Sequence, residues 1–475
     1  MRATRERVQT EELSQAPVAA RQRCREQAIE SRRAGAGDDG GRRQFLKQAL
    51  GVGVSLVGAS RVAVGGMIAD GSIMGRPESN AQRTTQRLRW QIHEVARIPQ
   101  GYQVAVADVN GDGRPDILAL SSESSIVEWY ENPDWKRHPI TTSTKKNISL
   151  APLAWRGSAF RGLALAADFH LEGSTRGGTV LWVAPGHTSS VQWNLHQVAQ
   201  VPTSHRLRWA DVDGDGQPEL VDVPILGLGA KAPDFTGGAP ITWFKVPDEI
   251  LRGRGLQDSG APWKPRLVDQ SLSVVHGILV LDWDGDGRDE LLTASFEGVH
   301  LFHSAGPPEN LRWTKVHLAE GEQNWKLAGV APAAQHRGSS EIGVGNVASR
   351  RFLATIEPWH GDQVAVYFSA PRNSPRQLWD RQVIDSSLRD GHALACADLD
   401  GDGNDEIVAG YRGPGTSLYV YHAVDANGRT WERQMLDSGM AASGVVIVDI
   451  NGDGRPDVVA IGASTGNVRW YEQLS

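Results

Sequence analysis

Cysteine is almost missing from this sequence. Cys24 and Cys396 are the only two in 475 residues, too few for a disulfide framework or a cysteine-based zinc site. There is no basic excess either. Lys and Arg number 49 against 56 Asp and Glu, a formal net charge of −7, which argues against nucleic acid as a partner. No apolar run reaches the ~18 residues that signal a spanning helix. Phe and Tyr are sparse, at nine and seven, whereas glycine (53) and tryptophan (16) are abundant. Many glycines with spaced tryptophans predict short strands and tight turns, an all-β chain. The composition, 40% hydrophobic and 22% charged, is that of a globular protein.

The first 40 residues are rich in Arg, Glu, Gln and Ala. Gly41-Arg42-Arg43-Gln44-Phe45-Leu46-Lys47 then leads into the weakly apolar Gln48–Ala59, and Val57-Gly58-Ala59 offers a small-residue cleavage site. This resembles a twin-arginine export signal. The expected organisation is a disordered n-region plus signal peptide over 1–59, a linker over 60–87 and a folded domain over 88–475. The long n-region points to a translation start downstream of Met1. The mature protein is expected in the periplasm or outside the cell, with Cys24 removed and no membrane span left.

The folded part repeats. Five segments share an apolar strand, an acidic loop and a second apolar strand. The first strands are Val104–Ala107, Leu207–Ala210, Leu279–Leu281, Leu394–Ala397 and Val445–Val448. A third strand ends in aromatic residues, as in Val127-Glu128-Trp129-Tyr130 and Val468-Arg469-Trp470-Tyr471. A fourth opens near Trp135, Trp193, Trp263, Trp313, Trp379 or Trp431. Four antiparallel strands per unit make a propeller blade. Two degenerate units are read at Leu163–Asp168 and, for the fifth blade, at Ala328–Ala331 followed by Glu341–Gly345. Seven blades of roughly 59 residues result, longer than the 40–45 of a WD40 blade. The lone segment Trp90–Val95 is expected to complete the last blade and close the ring.

The acidic loops put side-chain oxygens at positions 1, 3, 5 and 9 and glycine at position 6. They comprise Asp108, Asn110, Asp112 and Asp116; Asp211, Asp213, Asp215 and Glu219; Asp282, Asp284, Asp286 and Glu290; Asp398, Asp400, Asp402 and Glu406; and Asp449, Asn451, Asp453 and Asp457. Hard oxygen ligands in a glycine-turned loop suit Ca²⁺. Up to five structural calcium ions are expected, whose charge more than offsets the −7. These loops resemble FG-GAP/VCBS repeats, as in integrin α-subunit propellers. That resemblance speaks for fold and says little of function.

Function must come from residues that the repeat does not require. Six positions before each loop's first Asp, at the inner end of the first strand, the register gives Tyr102, Gly162, His205, His276, His392 and Ser443, with Lys326 near the same place in the fifth blade. First strands line a propeller's channel, so this register forms one ring. Three histidines on it, His205, His276 and His392, are expected to hold Zn²⁺ or a similar divalent ion.

Three further blocks surround the ring: Ile356-Glu357-Pro358-Trp359-His360-Gly361, Asp390-Gly391-His392-Ala393 and Ala409-Gly410-Tyr411-Arg412-Gly413. With His276–Arg288 they resemble the β-propeller domain of the aldos-2-ulose dehydratases, over most of residues 88–475. Those enzymes carry cupin domains after the propeller, linked to a later isomerisation. The resemblance therefore implies dehydration of a keto-sugar and not the isomerase step. A Lewis acid on the carbonyl, a base for the adjacent proton and an acid for the departing hydroxyl are the parts required. His360 is read as a fourth ligand or the base, Tyr102 and Lys326 as proton-transfer groups, and Arg389 and Arg412 as holding sugar hydroxyls. The expected partner is a small sugar or oligosaccharide. Two other functions compete: a secreted integrin-like binding propeller without chemistry, and a propeller-type polysaccharide lyase, which an open groove would favour. A P-loop fingerprint is absent.

Overall fold

A computed structural model describes residues 87–172, 174–186, 193–253, 263–324, 336–369 and 378–474. The twin arginines, Cys24 and Lys326 lie outside the described residues, as does nearly all of the expected linker.

The described residues form seven four-stranded antiparallel sheets, each with its strands in chain order. Blade one is Gly101–Ala107, Asp116–Ser121, Val127–Glu131 and Lys136–Thr141. The first strand of every blade touches the first strands of both neighbours, and the seventh touches the first, so the ring is closed and first strands are innermost. Second strands such as Asp116–Ser121 and Glu290–Ser295 are buried along their whole length. Their two faces serve different blades. Leu118 and Leu120 pack with Leu150 and Leu163 of blade two, whereas Ile117 and Ala119 pack with Val459 and Ile461 of blade seven. Such a strand has no polar face, hence the continuous apolar runs in the sequence. Each fully buried Leu or Ile contributes about 1.5–3 kcal/mol. Outer strands are half exposed, as in Arg312–Ala319.

Closure is as expected. Trp90–Arg97 pairs antiparallel with Asn467–Gln473, Ile92 lying opposite Tyr471. His93 stacks on Trp470 with ring centroids 4.1 Å apart, and its Nε2 lies 2.8 Å from Glu472 Oε2. The Gln434 amide donates to the Leu88 carbonyl at 2.7 Å. The last blade thus has its fourth strand from the other end of the domain, which removes an open edge.

The two degenerate blades correct the expected register. In blade two the innermost strand is Ser149–Leu153, and Gly162–Ala167 is the second. Gly162, expected on the ring, therefore lies one strand out. The loop between these strands has no carboxylate and holds the short 3-10 turn Trp155–Gly157 instead. In blade five the innermost strand is Ile342–Val347, followed by Arg350–Glu357. The segment expected as its second strand is thus its first, and Ala328–Ala331 lie outside the described residues. A two-residue turn, Ala348-Ser349 with φ of 47° and 64°, replaces the acidic loop. Left-handed values at both central positions mark the tight hairpin turn whose twist matches its strands.

Candidate functional site at the hub

The ring residues are aimed by a shared backbone device. Pairing between the first two strands skips one residue in blades one, three, six and seven, and the skipped residues are Tyr102, His205, His392 and Ser443. A bulge leaves its extra residue out of the ladder and redirects the side chain. Two positions earlier, Gln100, Thr203 and Asp390 have φ of 49°, 62° and 62°. Val274 (φ 47°) precedes His276 in the same way, and Lys146 (φ 48°) precedes Ile148. Non-glycine residues seldom adopt this conformation. The pattern assigns Ile148 to the ring in blade two, where Gly162 was expected.

Four histidines meet there. The centroid of His276 lies 4.7 Å from that of His205, 4.8 Å from His360 and 4.9 Å from His392. Liganding atoms of His276, His360 and His392 all lie within 4.8 Å of one another. His360 comes from the turn after Arg350–Glu357 and itself has φ of 52°. His205 borders this trio, but its Nε2 is engaged by the Tyr102 hydroxyl at 2.8 Å and by Arg206 Nη1 at 3.0 Å. The Tyr102 hydroxyl also lies 3.2 Å from His392 Nε2.

Second partners fix the tautomers. His392 Nδ1 lies 2.7 Å from the Ser443 carbonyl, which can only accept, so Nδ1 carries the proton and Nε2 the lone pair. His276 Nδ1 faces the Ser340 carbonyl at 3.2 Å and Glu341 Oε1 at 3.1 Å, with the same result. His276 Nε2 and His360 Nε2 are 3.0 Å apart. Histidines held through Nδ1 by oxygen acceptors, with Nε2 turned inward, are arranged as metal ligands usually are. Burial lowers the pKa of His276 and holds those of His205, His360 and His392 well below the ordinary value, helped by the Arg206 and Arg412 charges. All four rings are neutral, the form that binds a metal. The residues present therefore fit a divalent ion, with His360 in the trio and His205 beside it.

Two groups at the hub carry no repeat signal. Arg206 is buried, and its Nη2 donates to Glu341 Oε1 at 2.9 Å. Burial raises the Glu341 pKa, but Arg206 and His276 outweigh it and leave the carboxyl below its ordinary value. Glu341 stands on the ring in blade five, just before Ile342–Val347, where no acidic loop marks the register. Arg206 adjoins a ring histidine in sequence, and that adjacency was its one available signal. Arg412 Nε and Nη2 donate to the Asp390 carboxylate at 3.2 and 3.0 Å, and Nη2 lies 3.4 Å from His360 Nδ1. Arg389 is exposed. An aromatic cluster adjoins the ring: Phe169 lies 5.8 Å from His205, Trp359 lies 4.8 Å from His360, and Phe235 and Phe296 pack on Trp359. Gly462-Ala463-Ser464-Thr465-Gly466 spells G-x-S-x-G, but it is the turn between strands Asp457–Gly462 and Asn467–Gln473. No helix follows it, so it is not a nucleophile elbow.

The acidic loops lie at the other end of the inner hairpins. In blade one Asp108 accepts from the main-chain N–H groups of Gly111, Asp112 and Gly113 at 2.7–3.0 Å, and Gly111 and Gly113 have φ of 78° and 86°. Asp116 accepts from Val109 and Asn132. Burial, with neighbouring carboxylates, raises Asp116 and Asp457 to about 6 and Glu290 and Glu406 to about 7. In blade three Lys245 Nζ contacts Asp213, Asp215 and Glu219 at 2.7, 2.7 and 2.9 Å.

Comparison with known proteins agrees with this architecture. A family model for the β-propeller domain of aldos-2-ulose dehydratase matches residues 177–370, which contain His205, His276 and His360. FG-GAP-like and FG-GAP repeat models match residues 382–460 and 100–122. The chain is a seven-bladed β-propeller with FG-GAP repeats in part of its length. It resembles the aldos-2-ulose dehydratase of Phanerodontia chrysosporium, to which it is 25% identical over 291 residues, 55% of this chain and 29% of that protein. It thus spans less than a third of that relative's length.

Proposed function

We propose that this protein is an exported, metal-dependent carbohydrate lyase that removes water from a keto-sugar of the aldos-2-ulose or anhydrofructose type at the hub. The observation that carries this reading is the convergence of His276, His360 and His392 from blades four, five and six, two of them held through Nδ1 by oxygen acceptors. A binding module has no need of such a cluster. A divalent ion held there by His276, His360 and His392 would supply Lewis acidity that acidifies the C–H beside a keto-sugar's carbonyl. His205 Nε2 takes that proton once bound substrate displaces the Arg206 N–H that it accepts from. The C–O bond to the β-hydroxyl breaks, and the Tyr102 hydroxyl delivers a proton so that the group leaves as water. The 2.8 Å contact between these two groups returns the proton from the imidazolium to the phenolate. Arg206 orients His205, and Arg412, braced by Asp390, holds His360 and a sugar hydroxyl. Phe169 and Trp359 limit water at the ring. Burial of the ring beside this cluster suits a small sugar better than a polymer.

Calcium is assigned to the loops of blades one and seven, where the ligands are all oxygen. The test is incubation of metal-loaded protein with an aldos-2-ulose, following the ultraviolet absorption of the unsaturated ketone. Metal-dependent growth of that absorption is expected. A protein that contains the hub ion and leaves keto-sugars unchanged would make it a binding propeller.

A further inference from the structure

The five acidic loops are alike in sequence but unlike in what faces them. Antiparallel pairing sets one third-strand residue opposite the ninth loop residue. Glu219 pairs directly with Lys245. The registers of the other blades set Glu131 opposite Asp116, His303 opposite Glu290, His422 opposite Glu406 and Glu472 opposite Asp457. The two loops with Asn at position 3 and Asp at position 9 face a glutamate. The three with Asp and Glu at those positions face lysine or histidine. In blade one Asn110 Nδ2 contacts Glu131, and in blade seven Asn451 Nδ2 contacts Glu472.

We propose that this facing residue selects the occupant of each loop, and that the sixth-blade loop holds zinc or a similar nitrogen-accepting divalent ion through Asp400, Glu406 and His422 rather than calcium. Blade three shows the principle with a covalent cation: the Lys245 ammonium reaches three of its four loop carboxylates, so no metal enters. In blade six the facing residue is His422, only 5% exposed, with neither ring nitrogen hydrogen-bonded. Its Nδ1 lies 3.6 Å from Glu406 Oε1, and donor atoms of Asp400, Glu406 and His422 all lie within 4.8 Å of one another. A buried imidazole with neither nitrogen hydrogen-bonded is costly. An ion ligated by one nitrogen and two or more carboxylates removes that cost. Calcium takes oxygen ligands, whereas imidazole with carboxylate suits zinc and its neighbours. Blade four repeats the set with Asp284, Glu290 and His303 in a more exposed setting. The expected five calcium ions thus become two, in blades one and seven.

This inference does not depend on chemistry at the hub, and its test separates the two. In the full chain carrying His276→Ala and His392→Ala, to exclude hub metal, zinc and calcium are counted after stripping and reloading with both ions. Adding His422→Glu, which copies the blade-one pattern, should remove one equivalent of zinc and add one of calcium. Adding Lys245→Glu should add one of calcium. Zinc content unchanged by His422→Glu would overturn the proposal. Crystals of the parent protein loaded with both ions give a second arm that needs no variant. An anomalous peak at the zinc edge between Asp400, Glu406 and His422 is expected. Calcium alone at that position, or metal in blade three, would contradict it.

Discussion

The rim and the hub of this propeller are built from the same seven hairpins, yet they follow different rules. At the loop end the repeat dictates nearly everything: glycine at fixed positions, a carboxylate capping main-chain N–H groups, and a ninth residue tying the loop to its strand. At the hub the repeat fixes only a backbone device, a bulge preceded by a left-handed residue, and leaves the side chain free. The same device presents Tyr102, His205 and His392. A scaffold that holds the main chain and frees one residue per blade can acquire a site without losing its fold.

Changes at the hub should therefore alter chemistry and spare stability, and changes at the rim should do the reverse. The largest effect is expected from His276→Ala with His392→Ala. Elimination should fall by at least about 10³-fold, since both the Lewis acid and the pocket that orients substrate are lost, while thermal unfolding stays near that of the parent. Tyr102→Phe should lower kcat by about 10²-fold or more, as expected for a lost proton donor, with the hub metal retained. Loss of hub metal in this variant would show Tyr102 to be structural instead.

At the rim, chelation should lower the melting temperature, and calcium together with zinc should restore it. An ion present at a hundred times its Kd contributes about 2.7 kcal/mol. The effect has a pH signature. The raised pKa values of Asp116, Asp457, Glu290 and Glu406 mean that the folded, metal-free loops keep protons that the unfolded chain has released. Stability of the stripped protein is thus lost as pH rises from the ordinary carboxylate range to about 7. The gap in melting temperature between loaded and stripped protein should widen from pH 5 to pH 8. A constant gap would mean that these carboxylates do not bind the ions. The smallest effect is expected from Asp390→Asn, which weakens the brace on Arg412. KM should rise by a few-fold to tenfold with kcat little changed. A fall in melting temperature at unchanged KM would assign the pair to the fold alone.

The rim was largely legible in the sequence because its signal is local: nine consecutive residues specify one loop. Blade count and closure followed from repetition and from the spare strand at Trp90–Val95. The hub was legible only where its register hangs on a neighbouring loop. Tyr102, His205, His276 and His392 could be found by counting back from an aspartate. Blades two and five have no such loop, so counting back reaches Gly162 rather than Ile148 and leaves Glu341 on the second strand rather than beside the first. His360 joins the trio from a turn whose place over the axis depends on the packing of blade five. The facing residues Lys245 and His422 depend on strand pairing across some 20 positions, which no motif records.

The most direct test of the central claim, that imidazoles from separate blades hold a divalent ion at the hub, is the zinc-edge anomalous map of the parent protein. A peak bonded to Nε2 of His276, His360 and His392 is predicted. A hub without metal in zinc-loaded crystals, with the His276 and His360 rings sharing a proton instead, would contradict it.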